Sequence, residues 1–396
     1  MYLCARQLRA GLDYPKLDNL KDDERKFRQR GKLVRVTFLV APFKSRMIRR
    51  MTEDFSPRIE YQIVHPNYPA TSVERRARSV AEKLDDQLIG GKSVREAIAR
   101  FQPDIVYSDN ALYTAQFKLS SLFSRERIPL ILHLRGDWWR EYWAWFETAS
   151  PRKRALSAQQ YAYNWTSVAT AKKITPICKW LEKIVKHNLP WKKTEVVYQG
   201  VAPEQFYHED GLTFKHPAVA VIQNHSIYPK VMGLLQFKRI AQKLPNIHFY
   251  IAEGEPEGQQ FLPNVKQAYS GLTNVHFVED IINVAAVRRM LTACDCYVLA
   301  TGLDCCPTTI LEASLMERPV VASRIGGVPE IVLEGETGWT IENTDSDSWT
   351  EKLSTLAQDS KLCRRMGEVG KKWVADEFGW RRIAGQVEVL LRNEAR

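Results

Sequence analysis

The sequence predicts an α/β protein made of two doubly wound parallel domains facing each other across a cleft. Three observations carry that prediction. Short runs rich in β-branched residues alternate with helical stretches along most of the 396 residues, the pattern of a parallel sheet covered on both faces. The alternation breaks near Gly200-Val201-Ala202-Pro203, crosses the polar His208-Glu209-Asp210-Gly211, and then begins again. The length suits two or three domains of about 100–200 residues each.

In order, residues 1–32 form a charged arm that ends in Lys21-Asp22-Asp23-Glu24-Arg25-Lys26-Phe27-Arg28-Gln29-Arg30 and is poor in apolar residues. The first domain is expected over 33–205. Its strands fall at 33–40, 60–64, 104–108, 130–134, 173–177 and 195–198, with helices over 71–88 and 111–123. Ala41-Pro42-Phe43 turns into a basic helix carrying Arg46, Arg49 and Arg50. A linker spans about 201–216. The second domain is expected over 206–375, with strands at 218–223, 248–252, 275–278, 296–300 and 320–323. Its helices lie at 232–244, 285–292, 308–316 and 349–356. A last helix, within 376–396, has an apolar face suited to docking back on the first domain.

Composition narrows the function classes. Hydrophobic residues make up 44% and charged residues 26%, ordinary for a globular protein. No apolar run approaches the roughly 18 residues of a membrane span, and the N-terminus lacks the apolar segment of a secretory signal. Seven cysteines, an odd number without a C-x-x-C pair, fit reduced thiols in the cytoplasm better than a disulfide framework. The net charge of +11 is uneven. Residues 1–200 hold 37 Lys and Arg against 21 Asp and Glu, whereas residues 201–396 hold 20 against 25. A basic first half suits an anionic partner: a membrane surface, a phosphorylated lipid or sugar, or nucleic acid. A merely solvated basic surface is the plain alternative.

One stretch organises the rest. The strand Tyr297-Val298-Leu299-Ala300 runs into a turn, then Asp304-Cys305-Cys306-Pro307-Thr308-Thr309-Ile310-Leu311-Glu312-Ala313. Pro307 is expected at the first helical position, where its missing N–H costs nothing. The amides of Cys306, Thr308 and Thr309 then point out of the helix start as an anion cradle. Asp304 and Glu312 flank it, an arrangement suited to a ligand carrying both phosphate and hydroxyls. An ordinary strand-turn-helix with an acidic cap is the competing reading.

Here the chain resembles a known family, the GT-B fold retaining glycosyltransferases of family 4 (glycosyl transferase group 1). The resemblance runs from about residue 33 to the end and is strongest over 299–338. It rests on Asp304, Pro307, Glu312 and Ala313, on the strand Pro319-Val320-Val321, on the turn Gly326-Gly327-Val328-Pro329-Glu330, and on Gly335, Thr337 and Gly338. Weaker matches are Tyr198-Gln199-Gly200-Val201-Ala202-Pro203, Thr175-Pro176-Ile177-Cys178, where the family usually has Ser at position 178, and Glu253-Gly254-Glu255-Pro256.

The resemblance implies two Rossmann-like domains. The second would bind a UDP or GDP sugar and the first a hydroxyl acceptor on a glycan, a lipid-linked glycan or a lipid, as in polysaccharide or glycolipid biosynthesis. It implies that Glu312 holds the ribose hydroxyls and Asp304 the sugar hydroxyls. The backbone from Cys305 through Pro307 to Thr309 would cradle the sugar and diphosphate. Lys230, in Asn224-His225-Ser226-Ile227-Tyr228-Pro229-Lys230, matches the phosphate-binding lysine, whose compact cation offsets charge on the leaving group. Asn224, His225 and Gly254 join it as substrate contacts, and the base would rest on backbone near 278–281.

Three departures stand out: Asp304 replaces the usual Glu, His225 the usual Arg, and 41–46 lacks the usual glycines, leaving Lys44 or Arg46 as cationic contacts. At the end of the strand Leu130-Ile131-Leu132-His133-Leu134-Arg135-Gly136-Asp137, His133 and Asp137 are candidates for sugar contact or proton handling. Arg135 is a candidate for phosphate. A core His and a turn-capping Asp are the structural alternative. Trp138, Trp139, Tyr142, Trp143, Trp145 and Phe146 suit stacking on an acceptor or core packing equally. Asp345-Ser346-Asp347 has a D-x-D form but reads as a helix N-cap. No His/Cys spacing suggests a metal site, so no cofactor and no metal are expected. The expected location is the cytoplasm, peripheral at the inner membrane surface if the basic half binds anionic lipid. A nucleotide-sugar epimerase of the same fold and a basic nucleic-acid-binding protein with a degenerate sugar site are the rival readings.

Overall fold

The computed structural model describes residues 33–40, 45–64, 94–109, 128–140, 146, 151–254 and 259–395. The expected arm over 1–32, the helices over 71–88 and 111–123, and Lys44, Tyr142, Trp143, Trp145, Glu255 and Pro256 lie outside them. Arg46 falls inside a helix, but its side chain is likewise outside the description.

Among the described residues the first sheet contains β1 (Val34–Leu39), β2 (Ile59–Val64), β3 (Ile105–Ser108), β4 (Leu130–Leu134) and β5 (Lys173–Pro176). They lie in the order β2-β1-β3-β4-β5, and every pairing is parallel. The strands are apolar almost throughout because helices cover both faces. Those helices include α1 (Ser45–Thr52), α2 (Val94–Phe101), α3 (Pro151–Thr170) and α4 (Lys179–Asn188). The segment 195–198, expected as a strand, is extended but joins the ladder only at the bridge Ile174↔Thr194. Its amides reach β5, with Glu195 N–H on Ile174 C=O at 3.2 Å and Val197 N–H on Pro176 C=O at 3.0 Å. Pro176 has no N–H to return, so the ladder stops there.

The second sheet contains β6 (Ala218–Val221), β7 (His248–Ala252), β8 (Val275–Val278), β9 (Cys296–Leu299), β10 (Val320–Ser323) and β11 (Gly338–Ile341). Its order is β11-β10-β9-β6-β7-β8, again parallel throughout. The winding direction reverses between β6 and β9, so the loops leaving these two strands open a crevice at their carboxyl ends. The helices are α5 (Tyr228–Lys243), α6 (Leu262–Tyr269), α7 (Val284–Thr292), α8 (Thr308–Leu315), α9 (Ser346–Gln358), α10 (Ser360–Phe378) and α11 (Trp380–Glu394). Sequence reading missed α2, α3, α4, α6, α10 and β11. In α10 the signal is broken by Gly367, where a Cβ would sit 2.0 Å from the Glu317 carbonyl oxygen. Asp345 does cap α9, its carboxylate accepting from Ser348 N–H at 3.0 Å.

The chain crosses between the sheets twice, side by side. Val201 N–H donates to Phe378 C=O at 2.8 Å and Trp380 N–H returns to Val201 C=O at 3.0 Å. The Trp380 ring packs on Gly200, where a Cβ would stand only 2.2 Å from Trp380 Cε3. Beyond this crossing α11 returns to the first sheet. Glu388 accepts from Ser56 N–H at 2.8 Å and Ser56 O–H at 2.6 Å, and Gln386 donates to Val196 C=O at 2.7 Å. The segment expected as a linker is therefore pinned. Arg288 on α7 pairs with Glu209, donates to Gln205 C=O at 2.9 Å and stacks on Tyr207.

Candidate functional site

The crevice at the reversal point is built by two helix starts. After β6 the chain runs through Gln223 and Asn224 into α5, which begins a turn earlier than expected and so takes Lys230 into its first turn. After β9 it runs through Thr301 and Gly302 to Asp304 and α8. These loops are tied together: Gly302 N–H donates to Pro229 C=O at 3.0 Å. A second set of bonds holds the β9 loop from below. Thr301 N–H reaches Ser323 Oγ at 2.9 Å, and Asn343 Nδ2 donates to Thr301 C=O at 2.8 Å.

Lys230 Nζ stands 3.9 Å from Asp304 Oδ2 across the crevice, both side chains being partly exposed. Burial pushes the Asp304 carboxyl above its ordinary range, and Lys230 and the Cys305 amide pull it back only in part. Glu312 lies one turn into α8. Burial raises it from an ordinary 4.5 to about 7, with the Thr308 hydroxyl bond opposing. Lys230 and Asp304 thus meet directly, and Glu312 stands one turn behind on α8.

The cradle differs from expectation in two ways. Pro307 is the N-cap residue, not the first helical one, and Thr308 opens the helix. The Cys305 amide is turned inward onto Asp304 Oδ1 at 2.9 Å, because Asp at this position can close on the next residue's N–H. Ile310 N–H, on Pro307 C=O, is the first amide satisfied from within the turn, which leaves Thr308 and Thr309 to face a ligand. Cys305 and Cys306 are buried, and burial pushes the Cys306 thiol up to about 12.

His225 is fully buried. Its Nδ1 contacts Gln259 Oε1, and burial lowers its pKa, so it is neutral at pH 7. It does not replace the cation of an arginine. Asn224 is exposed and accepts from Ser226 N–H at 2.6 Å, and Gly254 abuts Gln259.

On the first sheet, Arg135 is held by Met47 Sδ and Gln199 Oε1. Burial lowers its pKa against the opposing fields of Asp109, Tyr107 and Cys306. His133 is buried beside it, 3.1 Å from Thr175 Oγ1 and stacked on Tyr107. Asp137 takes the structural role. It is buried and accepts from Arg140 N–H at 3.2 Å, capping the turn that follows. Trp138 and Trp139 pack on the core, and Trp139 meets Trp165 edge to face.

Three contributors escaped the sequence reading. Buried Tyr297 donates to Ile222 C=O at 2.8 Å and accepts from the Thr309 hydroxyl at 2.7 Å, tying the end of β6 to α8. Gln259 and Gln199 position His225 and Arg135. Nothing local marks a glutamine for such a role; only its partner across the fold does.

Comparison with known proteins agrees with this geometry. A model of the family "Glycosyl transferases group 1" matches residues 231–373. The chain is 40% identical over 108 residues to a GDP-mannose-dependent alpha-(1-6)-phosphatidylinositol monomannoside mannosyltransferase of Mycolicibacterium smegmatis, covering 26% of this chain and 28% of that one. It is 26% identical over 201 residues to an alpha-maltose-1-phosphate synthase of the same organism, covering 48% and 51%. The chain thus spans from 28% to about half of the length of these curated relatives. Among solved structures, sucrose-phosphate synthase from Thermosynechococcus elongatus superposes with a TM-score of 0.68 at 16% identity over 91% of this chain and 98% of that one. Anabaena HepE in complex with UDP-glucose superposes at 0.66 and 14% identity over 91% and 100%. The chain therefore has the GT-B fold, and its residues 231–373 match the glycosyl transferases group 1 model.

Proposed function

We propose that this protein is a retaining glycosyltransferase that moves a sugar from a nucleoside-diphosphate donor to a hydroxyl acceptor on a glycan or lipid. The observation that carries the reading is the meeting of Lys230 and Asp304, 3.9 Å apart at two helix starts, with Glu312 one turn behind. Ionised Glu312 accepts from the two ribose hydroxyls. Asp304 accepts from hydroxyls of the donor sugar. Lys230 and the first α8 amides offset the charge that develops as the anomeric carbon–oxygen bond breaks and its electron pair passes to the diphosphate. The acceptor oxygen bonds the anomeric carbon from the same face, and its proton passes to the departing phosphate oxygen. Arg135 and His133 serve the acceptor side.

The mannosyltransferase and synthase relatives and the UDP-glucose complex of a structural neighbour support a nucleotide-sugar donor. The basic first half supports an acceptor of anionic surroundings. Because Lys230 and the amides carry the charge, transfer should persist in excess chelator. An isotope-labelled donor panel incubated with hydroxyl acceptors tests the reading. Label appearing in a new glycoside supports it; neither transfer nor donor hydrolysis with any common nucleotide-sugar sinks it. A donor whose sugar is changed without acceptor would instead indicate an epimerase.

A further inference from the structure

The turn Gly326-Gly327-Val328-Pro329-Glu330 has no role in the chemistry above, yet it touches both halves of the molecule. Gly326 takes a left-handed φ of +56°, and a Cβ there would lie 1.8 Å from the Asp304 carbonyl oxygen. At Gly327 a Cβ would meet the Cys305 carbonyl oxygen at 2.0 Å and Cys178 Sγ at 2.7 Å. The turn is therefore pressed between the donor loop on one side and the N-cap of α4 on the other.

Glu330 closes this contact. Its Oε2 accepts from Lys179 N–H at 2.8 Å and from Tyr198 O–H at 2.7 Å, and its Oε1 accepts from Trp180 N–H at 2.7 Å. Lys179 and Trp180 are the first two residues of α4, whose amides have no partner inside their own helix. The local cap, Cys178, reaches only Leu181, at 3.5 Å. A carboxylate from the second sheet thus completes the N-terminus of a helix that follows the last described strand of the first sheet. The arrangement combines charge-assisted hydrogen bonds with a favourable helix dipole. Cys306, next to the Asp304–Cys305 loop, lies within electrostatic reach of Arg135.

We propose that Glu330 is a positioning residue. By capping α4 across the domain junction it fixes the first sheet, with Arg135 and His133, against the Asp304–Cys305 loop. Its effect on rate rests on the donor-site reading given above; the contact itself does not. Every donor-side group named above belongs to the second sheet's own elements, so loss of the cap should leave nucleotide affinity nearly intact while the two sides fall out of register.

The test uses the full chain carrying Glu330→Ala or Glu330→Gln, with three readouts: amide hydrogen exchange at Lys179 and Trp180, affinity for UDP and GDP, and transfer rate. For Glu330→Ala we expect exchange at the two amides to rise about tenfold or more, affinity to stay within about threefold, and kcat to fall about tenfold with little change in KM. Glu330→Gln, which keeps one neutral acceptor oxygen and replaces the other with a donor, should recover part of both exchange protection and kcat. Unchanged exchange in Glu330→Ala overturns the cross-domain cap. Unchanged kcat, or affinity and rate lost in equal proportion, overturns its positioning role. Wild-type protein that binds no nucleoside diphosphate counts against the donor site alone, because the exchange arm still judges the cap.

Discussion

At the scale of single residues, the site combines groups that are expensive to bury with partners that offset only part of the cost. Glu312 shows this best. Its folded pKa, about 7, lies above the ordinary 4.5, so its contribution to stability is fully present below about 4.5 and is lost as pH rises through about 7. Glu312→Gln removes that loss. We expect the variant, without ligand, to be more stable than the parent at pH 8 by roughly 1–3 kcal/mol and nearly equal at pH 4, measured by denaturant titration. Nucleotide binding should move the other way. The parent's affinity rises with pH through about 7 as the carboxylate ionises, and the variant's is weaker by about tenfold or more and flat with pH. Lys230→Ala should lower kcat about 100-fold while moving the melting temperature little, since its Asp304 partner is partly exposed and 3.9 Å away. Asp304 and Glu312 were legible from the spacing of charge about an expected helix start, whereas Lys230 was marked only by the family resemblance, its helix being expected to begin at Met232. The burial of His225 was not, because it depends on Gln259, 34 residues on.

At the scale of elements, the strand-turn-helix units were readable wherever one face of the periodicity dominated. Strands 130–134, 248–252, 275–278 and 320–323 fall where the β-branched runs put them. The failures have physical causes. Segment 195–198 has strand composition, but Pro176 cannot complete its ladder. Helix α10 hides behind Gly367, which the Glu317 carbonyl just past α8 requires for close approach. The donor loop depends on a similar approach from the Gly326-Gly327 turn. Gly327→Ala puts a methyl against two backbone or sulfur neighbours. We expect it to cost about 2–4 kcal/mol by denaturant titration and to weaken nucleotide binding together with stability. A neutral melting curve would show that the turn can shift aside.

At the scale of the whole molecule, two parallel sheets meet where the chain crosses at Val201 and recrosses at Gly379, the pair joined by a bridge. The sequence shows two series of elements but not this double crossing, which depends on Trp380 lying on Gly200 across 180 residues. Helix α11 then belongs in space to the first sheet, anchored through Glu388, Ser56 and Arg392. Glu388→Ala removes the acceptor of Ser56 N–H and O–H and the carboxylate partner of Arg392, leaving only the Arg392–Ser56 hydrogen bond. It should destabilise the first sheet by about 1–2 kcal/mol, with faster amide exchange in β1 and α1 than in the second sheet. No described helix is long and apolar enough to cross a membrane. The central claim is that the crevice at the strand-order reversal binds a nucleoside diphosphate through Lys230, Glu312 and the start of α8. Isothermal titration of UDP and GDP into the parent, Lys230→Ala and Glu312→Gln tests it most directly. The account predicts saturable one-to-one binding of at least one nucleotide to the parent, weakened about tenfold or more in each variant. Absence of binding by either nucleotide, or equal affinity in all three proteins, would contradict it.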